Sequence, residues 1–195
     1  MENEEQLQSK QSITTKLWLF FLDIAQTFLI TGAVFFVVTY FFFRPFQVSG
    51  DSMYSNFKDK EYILTNLITL RFNTPDRGDV VVFKSPSDAS KDFIKRIIGL
   101  PGDEIMLKEG EVFINSEKIN EPYLDEGIKT YGGIFIQDGE RKIIPENNYF
   151  VLGDNRNDSS DSRTWGFVSK EDIKGISFFV YWPLSEVHVI KNPYQ

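Results

Sequence analysis

The sequence predicts a mainly β protein, with one antiparallel β-sheet domain of about 150 residues behind a single N-terminal transmembrane helix. Three observations predict it. Residues Ile24–Phe43 form a run of 20 without a charge. After Arg44 the chain breaks into short β-branched and aromatic runs cut by turn residues. Beyond the anchor, only Ser169–Lys174 suggests helical spacing of apolar side chains.

In chain order, residues 1–16 read as a short polar tail and residues 17–43 as the anchor helix. Twenty helical residues at about 1.5 Å each cross a hydrocarbon core of roughly 30 Å. LWLFFL extends the run upstream, Asp23 interrupts it, and Trp18 and Tyr40 suit the two interfaces. Nine of the 19 Phe fall between Leu17 and Phe46. A cleaved leader has a shorter apolar core, about 7–15 residues, and ends in a small-x-small site. FFFRPFQV offers no such site, so the helix is expected to be retained. Lys10 and Lys16 on one side balance Arg44, Lys58 and Lys60 on the other, and charge does not choose an orientation.

The β runs are YILTNL (62–67), DVVVFKS (79–85), FIKRII (93–98), EIML (104–107), EVFINS (111–116), IFIQ (134–137), NYFVL (148–152), ISFFVYW (176–182) and VHVI (187–190). Glu109-Gly110 and Asn115-Ser116 are expected hairpin turns.

Composition excludes several chemistries. Without cysteine there is no disulfide framework, thiolate metal site or cysteine nucleophile. One histidine, His188, cannot build an HExxH site. A net charge of -7 argues against nucleic acid as a partner. No metal or cofactor is expected.

Three polar islands remain. VSGDSM (48–53) places a serine between Asp51 and Met53, which alone reads as a turn. DFIKRIIGLPGDEI (92–105) puts Lys95 on the same strand face as Phe93 and Ile97. Such a lysine either snorkels from an edge or is desolvated, and a desolvated amine has a lowered pKa and can act as a base. LGDNRNDSSDSRTWGF (152–167) carries Asp154, Arg156, Asp161 and Arg163, charges able to lock a loop into a rigid wall.

In this order the islands resemble the type I (leader) signal peptidases, membrane-bound Ser/Lys endopeptidases that remove signal peptides from exported preproteins. The resemblance runs from the anchor to about Tyr181, through GDSM (50–53), RGDVVVFKSP (77–86), FIKRIIGLPGD (93–103) and GDNRNDSSDSRTWGFV (153–168). It implies a signal-peptidase-type β domain over residues 44–195, outside the cytoplasm, on a single-pass anchor in the cell membrane. Ser52 falls on the family's nucleophile and Lys95 on its general base. A neutral amine takes the hydroxyl proton during attack and returns it to the leaving amine. Each unit below the reference value of about 10.4 corresponds to about 1.4 kcal/mol, so three units ask burial for roughly 4 kcal/mol. Ser159 matches the serine that holds the amine. Asp154, Arg156, Asp161 and Arg163 match the supporting scaffold, with Arg96 a further partner.

By the same resemblance, small residues are preferred at substrate positions -1 and -3, the Ala-x-Ala pattern. Phe46, Val48, Met53, Phe57, Phe93 and Ile94 are expected to line shallow pockets, with substrate extended along Asp92–Lys95. The expected partners are secretory preproteins with their signal peptides, membrane lipids and the export translocon. Two positions depart from the pattern. Gly50 stands where some members have a serine donor to the oxyanion, beside the backbone N–H of Ser52. Tyr54-Ser55-Asn56-Phe57 replaces the usual x-Pro-Thr-Leu, losing a rigid turn residue. A self-cleaving repressor of the same Ser/Lys type would begin with a DNA-binding helix-turn-helix, and the eukaryotic-type enzyme has His in place of Lys95. The alternative from another class is a non-catalytic, membrane-tethered β-domain that binds export substrates or envelope partners.

Overall fold

A computed structural model describes residues 13–88 and 90–195 and divides the chain into two compact units between Phe41 and Phe42. Most of the expected polar tail lies outside the described residues.

The first unit is built on helix α1, Ile13–Phe42, of which it contains all but the last residue; the helix starts earlier than the uncharged run. Within the helix, Thr15–Phe42 is long and apolar enough to cross a membrane, its most apolar 18-residue stretch having a mean hydropathy of 2.0. Thr27 and Thr39 turn their hydroxyls back on the carbonyls of Asp23 and Phe35, at 2.8 and 2.9 Å. Those bonds satisfy these two hydroxyls within the helix, as an apolar surrounding requires. The helix stops at Phe42 because Pro45 biases Arg44 away from helical backbone angles.

The second unit is antiparallel throughout. Its strands are β1 (Phe43–Gln47), β2 (Tyr62–Asn66), β3 (Val80–Lys84), β4 (Asp92–Gly99), β5 (Glu104–Lys108) and β6 (Glu111–Ile114). Then come β7 (Glu117–Lys118), β8 (Arg141–Ile143), β9 (Asn148–Leu152), β10 (Val168–Ser169), β11 (Ile173–Trp182) and β12 (His188–Val189). Two one-turn helices, α2 (Thr69–Phe72) and α3 (Ser162–Trp165), lie between them. One sheet runs β1-β2-β11-β3-β4-β9-β10, with β12 on β11, and the other runs β7-β6-β5-β8.

Local chemistry explains the elements. Pro45 sits on edge strand β1, where a missing N–H costs no ladder bond. Alternation in β2 buries Ile63 and Thr65, whereas Val80–Phe83 of β3 is buried on both faces, as its unbroken apolar run suggests. The β5–β6 turn forms at Glu109-Gly110 with φ of 55° and 82°, a two-residue hairpin of the expected kind. Asn115-Ser116 turns β6 into β7 in the same way.

Other segments differ from expectation. IFIQ (134–137) is no strand: Ile136 is buried but Ile134 is exposed, and the backbone closes on itself through Gly133 N–H to Ile136 O at 2.7 Å. Its apolar residues anchor a loop against the core of Ile98, Leu107 and Phe150. The Ser169–Lys174 stretch yields one 3-10 turn, Lys170–Asp172, before β11 begins.

The site depends on β4. It pairs with β3 along Asp92–Arg96, but with β9 only from Arg96 onward. On that side no strand among the described residues pairs with Asp92–Lys95, and the edge stays open. A cluster of Val48, Met53, Phe57, Ile63, Val80, Val82 and Val180 fills the core beneath the Ser52 segment.

Candidate active site

Lys95 is only 3% exposed. Its Nζ lies 2.6 Å from Ser52 Oγ and donates to the Ile94 carbonyl at 2.9 Å, with the Phe93 ring centroid at 5.4 Å. Burial pushes its pKa down to about 8, against the pull of Asp161 and Asp154, whose charges favour the ammonium. A serine hydroxyl and a poised amine therefore meet within hydrogen-bond reach.

The Ser52 segment is pinned on several sides. Gly50 adopts φ +85°, open to glycine without strain, and donates its N–H to Asp59 Oδ1 at 2.8 Å. Asn155 donates its backbone N–H to the Ser52 carbonyl at 3.1 Å and its amide to the Asp51 carbonyl at 3.0 Å. The replaced Pro-Thr positions are anchored by side chains instead. Ser55 donates to Asp125 at 3.1 Å, and Asn56 donates to Tyr123 O at 2.8 Å and to Asp154 Oδ2 at 2.9 Å.

Beneath the pair lies a charged scaffold. Arg96 clasps Asp154 through two bonds of 2.9 and 2.6 Å and donates to Gly78 O at 2.9 Å. Arg163 clasps Asp161 through two bonds of 2.8 Å, and Asp161 also caps α3. Arg156 reaches out of its loop to Glu121 at 3.0 and 2.5 Å and to Thr130. The loop thus locks itself through Asp161–Arg163, Arg163 to Arg156 O at 2.8 Å and Arg156 to Gly153 O at 3.1 Å, while Asp154 and Arg156 also tie it to other segments. Glu121 carries no local sequence signal that marks it as a partner.

Ser159 departs from the expectation that it holds the amine. Its Oγ is buried with no hydrogen-bond partner, and Lys95 Nζ is bonded to Ser52 and Ile94 instead. The hydroxyl lies against Gly153, where any side chain would collide with it.

A cavity of about 200 Å³ opens beside the pair, lined by Phe46, Gln47, Val48, Ser49, Ser52, Ile63, Val82, Asp92, Phe93, Ile94, Lys95 and Ser160. Phe46, Val48, Asp92, Phe93 and Ile94 were expected there. Met53 and Phe57 were too, but they do not line it: they are buried in the core behind the wall. Ile63 and Val82 take their place; alternation along β2 could have indicated that Ile63 faces the core, whereas the unbroken run of β3 gives Val82 no such signal. Asp92 is paired with Lys174 at 2.6 Å. His188 is exposed on β12, remote in sequence from every motif.

Comparison with known proteins places these residues in context. The family described as Signal peptidase, peptidase S26, matches residues 21–182. Signal peptidase IB of Staphylococcus aureus (strain MRSA252) is 34% identical over 183 residues, 88% of this chain and 93% of that protein. Signal peptidase I S of Bacillus subtilis (strain 168) is 36% identical over 85% of this chain and 91% of its own length. Signal peptidase I of Bacillus amyloliquefaciens is 34% identical over 98% and 100%. A crystal structure of a signal peptidase I from Enterococcus faecalis V583 aligns at 31% identity and a TM-score of 0.45, covering 53% of this chain and 97% of that one. By the family match and by identity over most of its length, the chain belongs to the signal peptidase family, peptidase S26.

Proposed function

We propose that Ser52 is the nucleophile and Lys95 the general base of this peptidase, cutting preproteins after an Ala-x-Ala-like site. Family membership carries the coarser statement: the protein is a membrane-anchored serine peptidase that removes signal peptides from secretory preproteins. The observation that carries the finer one is the 2.6 Å contact between Lys95 Nζ and Ser52 Oγ in a buried setting. In the neutral form the Lys95 lone pair accepts the Ser52 proton as Oγ attacks the scissile carbonyl. The resulting ammonium then gives that proton to the departing amine, and a water is activated the same way for deacylation. Asp154 and Asp161, each clasped by an arginine, keep the surroundings rigid without taking a proton.

Two features support the binding mode. The unpaired edge of Asp92–Lys95 can take an extended peptide as an added strand. The adjoining cavity, about 200 Å³ and walled by Val48, Ile63, Val82 and Ile94, suits small side chains. The same reading makes α1 a single-pass span with the β domain outside the cytoplasm, in contact with lipids and served by the export translocon. Purified protein in detergent, given a preprotein, should release the mature chain after the Ala-x-Ala site. Ser52→Ala and Lys95→Ala should each abolish release, and full cleavage by the Ser52→Ala protein would refute the assignment.

A further inference from the structure

Beyond β12 the chain does not leave the domain. Residues Asn192–Gln195, outside the span matched by the family, fold back onto the segment Arg77–Asp79. Asn192 donates its amide to Arg77 O at 2.9 Å and to Asp79 Oδ1 at 2.8 Å. Tyr194 donates its hydroxyl to Asn120 O at 2.8 Å. The segment lies so close on Gly78 that a side chain there would run into Asn192, Pro193 and Tyr194. Gly78 is also the residue whose carbonyl accepts from Arg96. From there a stack leads inward. The Tyr194 ring meets the Tyr123 ring edge-on at 6.5 Å, and the Arg96 guanidinium sits over Tyr123 at 4.2 Å. Arg96 then clasps Asp154, which in turn accepts from Asn56 of the nucleophile segment.

We propose that Asn192–Gln195 is a strap that positions the catalytic pair, acting through Tyr123 and Arg96 on Asp154. The proposal rests on the Ser52/Lys95 reading. The strap keeps water from Arg96, so its two bonds to Asp154 face no competition. The charged and titratable groups facing Arg96 are Asp154, Asp79, Tyr123 and Tyr194, and those acting on Lys95 are Asp154 and Asp161, the latter held by Arg163. When the strap loosens, water weakens the Arg96–Asp154 clasp. The Asp154 charge is then less neutralised and favours the Lys95 ammonium, so more of the base is protonated at a given pH. Asn56 loses a fixed acceptor, and the Ser52 segment is held less firmly.

The test measures kcat and KM from pH 5 to 9 for the full chain in detergent, with thermal melting alongside. The proteins are the parent, Tyr194→Ala, Tyr194→Leu, Tyr194→Phe, Asn192→Ala and Ser52→Ala. Tyr194→Ala and Asn192→Ala should lower kcat roughly tenfold with KM within about twofold, and move the acidic limb to higher pH. Tyr194→Phe keeps the ring against Tyr123 and should stay within about threefold of the parent. Tyr194→Leu, which keeps bulk without the aromatic edge, should also move the limb and serves if Tyr194→Ala does not accumulate. A parental kcat and limb in Tyr194→Leu and Asn192→Ala would overturn the proposal. So would a lower kcat with an unmoved limb, since a merely structural strap changes the active fraction and not the base. The Ser52→Ala arm separates the two readings. Cleavage by that protein removes the dyad and the strap with it, whereas inactivity beside unmoved strap variants removes the strap alone.

Discussion

Lys95 and Arg96 are neighbours on one strand and equally buried, yet their surroundings drive their charges in opposite directions. The Lys95 side offers a hydroxyl, a carbonyl and an aromatic ring, and burial lowers its pKa to about 8. On the Arg96 side burial also works against the charge, but two bonds to the Asp154 carboxylate override it and hold the guanidinium above its ordinary pKa. What separates them is strand alternation, which sends successive side chains to opposite faces. One strand thus supplies both a base that can lose its proton and a cation that cannot. The second shields the first, because an unpaired Asp154 would pull Lys95 back to its ammonium form.

The most severe way to erase the difference is Lys95→Arg, which puts a permanent cation on both faces. A guanidinium cannot act as a base near neutral pH, so kcat should fall by roughly 10³-fold or more while the protein stays folded. Single-turnover cleavage with a melting curve checks both halves of that statement. Removing the opposite cation should act mainly on stability. Arg96→Leu leaves Asp154 buried without its partner and should cost about 3–5 kcal/mol in denaturant unfolding of the detergent-solubilised protein. Replacing both as Arg96→Leu with Asp154→Leu should recover much of that loss, since no buried charge is then left unpaired. The smallest effect belongs at the other end of β4, where Lys174 and Asp92 pair at 2.6 Å with both side chains about a third exposed. Lys174→Ala should change stability by no more than about 0.5 kcal/mol, since exposed pairs are screened. A larger loss would mean that the pair holds the open strand edge.

Much of this arrangement was legible because it depends on local pattern. Strands with strong alternation or unbroken β-branched runs, such as Tyr62–Asn66 and Val80–Lys84, formed close to where their residues suggested. So did the two positive-φ turns at Glu109-Gly110 and Asn115-Ser116. What failed was decided by distant neighbours. Residues 134–137 form a β-branched and aromatic run like a strand but find no ladder partner among the described residues, and fully bury only Ile136. Two-residue strands β7 and β10 exist only because β6 and β9 offer them an edge. The same division runs through the site. The Ser52 and Lys95 motifs are contiguous and readable, whereas Glu121 acquires its role only by meeting Arg156, 35 positions away. The family resemblance puts Met53 and Phe57 on the cleft wall by motif position, but no local pattern says whether such a residue faces a cavity or the core behind it.

The central claim is that Lys95 loses its proton near the pH at which the enzyme works, and the pH dependence of kcat tests it most directly. On the proposed role of Lys95 the neutral amine is the active form, and its fraction grows as pH rises toward the lowered pKa of about 8. Below that pH, kcat should therefore climb about tenfold per unit and then level off. The acidic limb should vanish into background in the Lys95→Ala protein. A rate that stays flat from pH 5 to 9 would contradict the account, because no group with that pKa would then be accepting the Ser52 proton.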